Sequence, residues 1–234
     1  MKFNDYINKI GLKSFKNGSE KPDGVYKYLK RFKTNFSHTE IKKLYTYDVP
    51  AISDDGACSI LDKKADKPYN LAETYGLDFN SKTLTKDPNT LRLWRLNGII
   101  EKLYKDTGSG WLGVYRSFRR GKDKFLLKEA YRGLRSRAEF PLTKEFAKKS
   151  NNSTVGLSGK AVLIQDIIKH NGPYYVCDTK VQSEFCIPIL NKKGSVIGII
   201  DIESPKKGFF TQKRLLQISK VAYDLGQSNL LLHI

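Results

Sequence analysis

At 234 residues the chain is long enough for one large domain or two small ones. Its 42 basic and 24 acidic residues leave a net charge of +18, a field that draws anionic partners at long range. No stretch reaches the about 18 apolar residues of a membrane span, and no N-terminal apolar run has signal-peptide length. Three cysteines, Cys58, Cys177 and Cys186, make no metal-ligand spacing. An odd count without an export signal leads us to expect a reducing, cytoplasmic setting with a thiol free for chemistry, no membrane association and no metal.

Residues 1–86 are mixed, weakly periodic and rich in turn residues, and are expected to form an N-terminal extension of unassigned role. One helix stands out there. Ser37-His38-Thr39-Glu40 has the capping-box spacing, with Ile41, Leu44 and Tyr45 at helical intervals behind it. Aromatics interleaved with bases (Tyr26, Lys27, Tyr28, Lys30, Arg31, Phe32) suit either stacking on single-stranded nucleic acid or the apolar face of a small helix; we favour the helix. Asp87-Pro88 then supplies an N-cap followed by proline at the first helical position. Leu93, Leu96, Ile100 and Leu103 mark one face of a helix ending near Gly108.

Strand-like runs at 110–118 and 125–131 flank the turn Arg119-Arg120-Gly121-Lys122. The polar stretch 144–154 reads as a loop or short helix, 161–164 as a short apolar run, and 166–175 as a connection. Glu184 opens an apolar run through Leu190. The turn Asn191-Lys192-Lys193-Gly194 leads into a second run through Asp201, so the pair reads as a β-hairpin. A closing helix begins at Thr211, with Leu215, Ile218, Ala222 and Leu225 inward. Between Arg116 and Lys149 lie 12 basic and 4 acidic residues. That patch leaves nucleic acid open as a partner. No nucleic-acid motif accompanies it, however, and solvated lysine-rich faces are the favoured explanation.

Cys177 is the best candidate nucleophile, in a loop after Gly172 and Pro173. Only a thiolate reacts, and adjacent Asp178 opposes ionisation, so a cation or backbone donors must help. The competing role of any cysteine is a small buried hydrophobe, which we favour for Cys186 inside its apolar strand and for Cys58. Side chains two apart share a strand face, which puts Asp201 with Glu203. With Glu184 these acids can clamp an ammonium group and supply a proton, since like charges brought close raise one pKa. Strand-end acids facing water and lysines are the plain alternative. Trp111 and Tyr115 fit either a wall for a small apolar group or ordinary core aromatics.

The pattern Gly172-x-x-x-x-Cys177-Asp178, Ser183-Glu184-x-x-x-Pro188-Ile189, Gly198-x-Ile-Asp201-Ile-Glu203-Ser204 and Gly208-x-Phe210-Thr211 resembles the GAF domain family. It is most similar to that family's free methionine-(R)-sulfoxide reductase branch. Upstream, Gly110-Trp111-Leu112-Gly113-Val114-Tyr115 is similar to the branch's Asn-Trp-x-Gly-Phe-Tyr, and Gly156-Leu157-Ser158-Gly159-Lys160-Ala161 to its Gly-Val-Cys-Gly-Thr-Ala. The resemblance covers residues 88–228. It implies an α+β fold for 87–234: a GAF-like antiparallel β-sheet with helices packed on one face, following the extension 1–86.

It also implies a reaction. Free methionine sulfoxide would lie with its methyl group against Trp111 and Tyr115, near Asp178. Its ammonium and sulfoxide oxygen would meet Glu184, Asp201 and Glu203. A carboxylic acid, with Glu184 as the catalytic candidate, would protonate the oxygen while the Cys177 thiolate attacks sulfur. A sulfenic acid would remain for a second thiol to reduce.

The chain departs from the branch in lacking both usual resolving cysteines: Ser158 stands at one, and none lies between Leu134 and Glu139 for the other. Glu203 stands where the branch usually has aspartate. Cys186, two residues beyond Glu184, is the residue placed to stand in. Otherwise turnover needs no bound cofactor but an external thiol reductant such as thioredoxin or glutathione. The alternative is a non-catalytic GAF module that binds another small ligand and signals through the extension or a partner. A homodimer through terminal helices is a further expectation from the family.

Overall fold

Six antiparallel strands, in the spatial order Glu139–Pro141, Asp123–Arg132, Trp111–Arg120, Val196–Ser204, Ser183–Leu190 and Val162–Ile164, carry the rest of the structure. The computed structural model describes residues 1–12, 25–51, 63–174, 178–228 and 230–231. The chain enters through α1 (Phe3–Lys9), α2 (Val25–Leu29), α3 (His38–Tyr45), the short strands β1 (Thr46–Tyr47) and β2 (Tyr69–Asn70), α4 (Leu71–Thr74) and a 3-10 turn over Lys82–Lys86. The capping box at α3 forms as its sequence dictates, Ser37 Oγ accepting from Glu40 N and the Glu40 carboxylate from Ser37 N.

Then comes α5 (Pro88–Thr107). The Asp87 side chain accepts from Asn89 N at its start, and Gly108 ends it in the left-handed region at φ 66°. The sheet follows with β3 (Trp111–Arg120), β4 (Asp123–Arg132) and β5 (Glu139–Pro141). The stretch 144–154 becomes two short helices, α6 (Lys144–Ala147) and α7 (Asn151–Ser158). β6 (Val162–Ile164), β7 (Ser183–Leu190), β8 (Val196–Ser204) and α8 (Gln212–Gln227) complete the chain.

Strand alternation separates two faces. One carries Leu112, Val114, Ala130, Phe185, Ile187, Ile189, Ile200 and Ile202, packed against Leu96, Ile100 and Leu103 of α5 and Ile218, Ala222 and Leu225 of α8. Each buried Val, Leu, Ile or Phe side chain among these contributes about 1.5–3 kcal/mol. Gly226 lets α8 seat directly on β7: a Cβ there would lie 2.0 Å from the Leu190 carbonyl oxygen. α1, which the sequence pattern does not announce, enters this same core through Tyr6, Ile7 and Ile10, and Tyr6 donates to the Pro188 carbonyl at 2.7 Å. Short α7 lies over the opposite face of β7 and β8. Residues from the rest of the N-terminal part form a second core: Phe36, Ile41, Leu44, Tyr45, Leu71, Ala72 and Leu84 close on Leu93 of α5 and on Phe125 and Leu127 of β4. Tyr28 of α2 packs over Gly98 of α5, whereas Phe32 stands 72% exposed.

A β-bulge in β4 shapes both faces. Val114 pairs with Ala130 but Tyr115 pairs with Lys128, leaving Glu129 as the extra residue. Glu129 turns to the helix side, where Arg92 of α5 and Arg116 of β3 bind its carboxylate and Tyr75 donates to it at 2.7 Å. Burial opposes ionisation there, but the two guanidinium groups outweigh it and hold the carboxyl down at about 2. The basic stretch 116–149 is therefore not a uniform cationic surface. Arg116 and Lys128 are buried, and Arg120 and Arg132 are paired with Glu139 and Glu101. Among the described residues no helix is long and apolar enough to cross a membrane.

Candidate functional site

The face of the sheet away from α5 and α8 carries polar groups in rows set by strand register. Trp111, Glu203 and Glu184 lie abreast on β3, β8 and β7. Gly113, Asp201 and Cys186 form the next row, and Tyr115, Ile199 and Pro188 the third. The shared strand face inferred from the Asp-x-Glu spacing is thus present, and the hairpin brings Glu184 to it.

The aromatic wall depends on a missing side chain. The Trp111 ring lies across Gly113, where a Cβ would come within 2.2 Å of the indole. Tyr115 follows with its ring centroid 6.4 Å from that of Trp111 and 5.4 Å from that of Phe140. Trp111 Nε1 donates to the Leu134 carbonyl at 3.0 Å and Tyr115 Oη to that of Arg137 at 3.3 Å, so the two aromatics also hold the 133–138 loop over the sheet.

These residues enclose an inner chamber of about 20 Å³, lined by Trp111, Tyr115, Ser136, Phe140, Asn151, Asn152, Glu184, Asp201 and Glu203. Trp111, Ser136 and Glu203 also border an outer cleft of about 200 Å³, whose wall includes Asp178, Lys180 and Arg135. Asp178 makes a local turn, its carboxylate accepting from Lys180 N at 2.8 Å. Cys177 and Cys58 lie outside the described residues.

Sequence reasoning missed Asn151 and Asn152. They open α7, which is fixed by Ser150 as N-cap and by a 2.8 Å hydrogen bond from Ser153 Oγ to the Pro141 carbonyl. From there Asn151 donates to Glu184, and Asn152 to Asp201 at 3.0 Å. Their partners lie 33 and 49 residues downstream, and nothing in the local spacing points to them.

Glu184 and Asp201 are each only 3% exposed. Burial, then the neighbouring Asp201 and Glu203 charges, push the Glu184 carboxyl far above its ordinary range. Burial also raises Asp201, to about 7, while bonds from Asn152 and Glu184 restrain the rise. Among the described residues Asp201 Oδ1 has no N–H or hydroxyl partner. The Glu184 and Asp201 carboxyls are in hydrogen-bonding contact, and the two acids titrate as a pair. Such a pair holds an acidic proton near neutral pH, as a general acid requires.

Cys186 sits beside this pair but in a different chemical state. It is fully buried, and burial followed by the charges of Asp201, Glu184 and Glu203 pushes its thiol well above the usual range. It pairs with Asp201 in the strand register. Burial and these carboxylates together favour the thiol over the thiolate that a resolving cysteine needs.

The GAF domain family model matches residues 95–228, more than half of the chain. The chain belongs to the GAF domain family. Protein ZMO0507 of Zymomonas mobilis subsp. mobilis is 25% identical over 118 residues, which cover 50% of this chain and 66% of that protein, just under two thirds of its length. Among solved structures, the type II free methionine-R-sulfoxide reductase from Thermoplasma acidophilum is similar at 24% identity and a TM-score of 0.50, covering 58% of this chain and 89% of that one. The free methionine-R-sulfoxide reductase from Neisseria meningitidis, solved with its substrate, is similar at 20% identity and a TM-score of 0.50, covering 58% and 77%. These likenesses establish the fold.

Proposed function

We propose that the chamber binds a small amine-bearing sulfoxide and that the protein reduces free methionine-(R)-sulfoxide through Cys177. The observation that carries this reading is the convergence of Glu184, Asp201 and Glu203 on one chamber with Trp111 and Tyr115. An ammonium group suits the carboxylates and a methyl sulfoxide suits the aromatic wall. Asp178, the residue after Cys177, lines the cleft leading to the chamber.

In this scheme the Glu184–Asp201 pair gives its proton to the sulfoxide oxygen as the Cys177 thiolate attacks sulfur. The sulfur–oxygen bond breaks, the oxygen passes as hydroxide to the Cys177 sulfur, the sulfur–sulfur bond made in the attack breaks with its electron pair on the methionine sulfur, and methionine leaves Cys177 as a sulfenic acid. An external thiol, of the thioredoxin or glutathione class, displaces that oxygen as water and forms a mixed disulfide. A second thiol equivalent then releases Cys177 as the thiol and departs as a disulfide.

A second reading, a GAF module that binds a ligand without turning it over, is favoured by the state of Cys186 and by the size of the closed inner chamber. That chamber has room for about one water and must open toward the outer cleft to admit a ligand.

The deciding experiment is turnover of free L-methionine-(R)-sulfoxide with dithiothreitol, for wild type, Cys177→Ser and Glu184→Gln. The reductase reading expects turnover in the wild type, none in Cys177→Ser, and a loss of about 10²- to 10⁴-fold in Glu184→Gln. A folded wild type without activity excludes it and leaves the binding module.

A further inference from the structure

The chamber has a second wall whose chemistry is opposite to that of the carboxylates. Lys128 of β4 pairs with Tyr115 of β3 and is completely buried. Its Nζ donates to the Ser136 carbonyl at 2.6 Å and to Ser136 Oγ at 2.7 Å. The ammonium lies 4.1 Å from the Tyr131 ring centroid and 4.8 Å from that of Tyr47, an aromatic cage of the kind that favours a desolvated cation. Ser136 in turn lines both the inner chamber and the outer cleft. A lysine with no access to water, held against a serine at the chamber wall, is a costly arrangement if that serine only closes a loop.

The hydrogen-bond inventory gives the arrangement a direction. A hydroxyl has one hydrogen to donate and two lone pairs to accept with. Among the described bonds Ser136 Oγ acts as an acceptor, from Lys128, which leaves its own hydrogen for another partner, and Ser136 borders the chamber. A donor backed by an ammonium group is stronger than a neutral hydroxyl and favours a negatively charged oxygen. The chamber is thus polarised: Glu184, Asp201 and Glu203 on the β7–β8 side, and Ser136 with Lys128 behind it on the β4 side.

We propose that Ser136, positioned and polarised by Lys128, anchors the carboxylate of a free, zwitterionic amino acid whose ammonium group faces Glu184, Asp201 and Glu203. This rests on the small-ligand reading of the chamber and assigns the residues by which a free carboxylate is selected over a peptide-linked one. Lys128 is a positioning residue. The proposal also gives the N-terminal part a task, since Tyr47 of β1 supplies half of the cage and donates to the Lys128 carbonyl at 2.6 Å.

The test is calorimetric titration in a Cys177→Ser background, where no turnover interferes. The ligands are free L-methionine-(R)-sulfoxide and its decarboxylated analogue, 3-(methylsulfinyl)propan-1-amine. Ser136→Ala is expected to weaken the amino acid by about 10- to 100-fold and the amine by less than about two-fold. Lys128→Met is expected to follow the same pattern; should it not fold, Ser136→Ala decides alone. Equal weakening of both ligands, or of neither, overturns the carboxylate anchor.

If the parent protein binds no methionine sulfoxide, a thermal-shift panel of the common free L-amino acids separates the two ideas. An amino acid whose binding depends on Ser136 upholds the anchor while the reductase reading falls. No stabilisation by any of them overturns both.

Discussion

Asp201→Asn isolates the buried proton on which the chemistry depends. In the folded protein burial raises Asp201 from 3.8 to about 7, whereas the unfolded chain titrates it near the ordinary value. Between those limits the folded state keeps a proton that the unfolded state has released, so stability falls as pH rises. The contribution is fully present below about pH 4 and is lost as pH approaches 7. Three pH units at about 1.36 kcal/mol each give about 4 kcal/mol.

The amide variant has nothing to titrate at this position, and its oxygen can still accept from Asn152. Burial, the largest cause that raises the Glu184 carboxyl, is common to both proteins. The difference in unfolding free energy, wild type minus variant, should therefore decline by about 1.4 kcal/mol per pH unit from pH 5 to 6, and more slowly toward pH 7 as the native carboxyl itself ionises. Urea unfolding followed by far-UV circular dichroism at each pH measures it, with equal m-values as the control. A difference that stays level across the window means that Asp201 is already ionised in the native state below pH 7, and the account of a burial-raised Asp201 carboxyl is then wrong.

Glu129→Gln should cost about 3–5 kcal/mol in chemical denaturation, because it leaves Arg92 and Arg116 buried without their counter-charge. Gly113→Ala places a methyl group 2.2 Å from the Trp111 indole and should displace the ring. A changed Trp emission spectrum, a stability loss of about 1–3 kcal/mol and weakened ligand binding are the expected readouts. Cys186→Ser should leave dithiothreitol-driven turnover within about two-fold of wild type, and native Cys186 should resist iodoacetamide at pH 8 until the protein is unfolded. Rapid native alkylation of Cys186 would contradict the burial that holds its thiol protonated.

What was legible in the sequence was what neighbours in the chain decide. Asp87-Pro88 and Gly108 bound α5 because capping groups act within one turn of a helix end. The run from Ser183 to Ser204 pairs as read because a polar turn joins two β-rich segments, and period-two alternation then aligns Asp201 with Glu203. Trp111 and Tyr115 share their face for the same reason. The segments that stayed unread carry no local signal. α1 is short, and its place in the core comes from Tyr6 reaching Pro188, 182 residues away.

Residue types and their strand faces were therefore the sequence's own contribution, including a cluster of three acids and two aromatics. Their chemical states came from tertiary structure, because desolvation and charge–charge coupling depend on which atoms surround a group and not on which precede it. Glu184 and Cys186, on one face two residues apart, show the outcome. Packing makes the first a protonated acid in a polar chamber and the second an inert thiol. The same packing buries Lys128, in a stretch whose charge alone suggested an exposed cationic surface, behind Ser136 at the chamber wall.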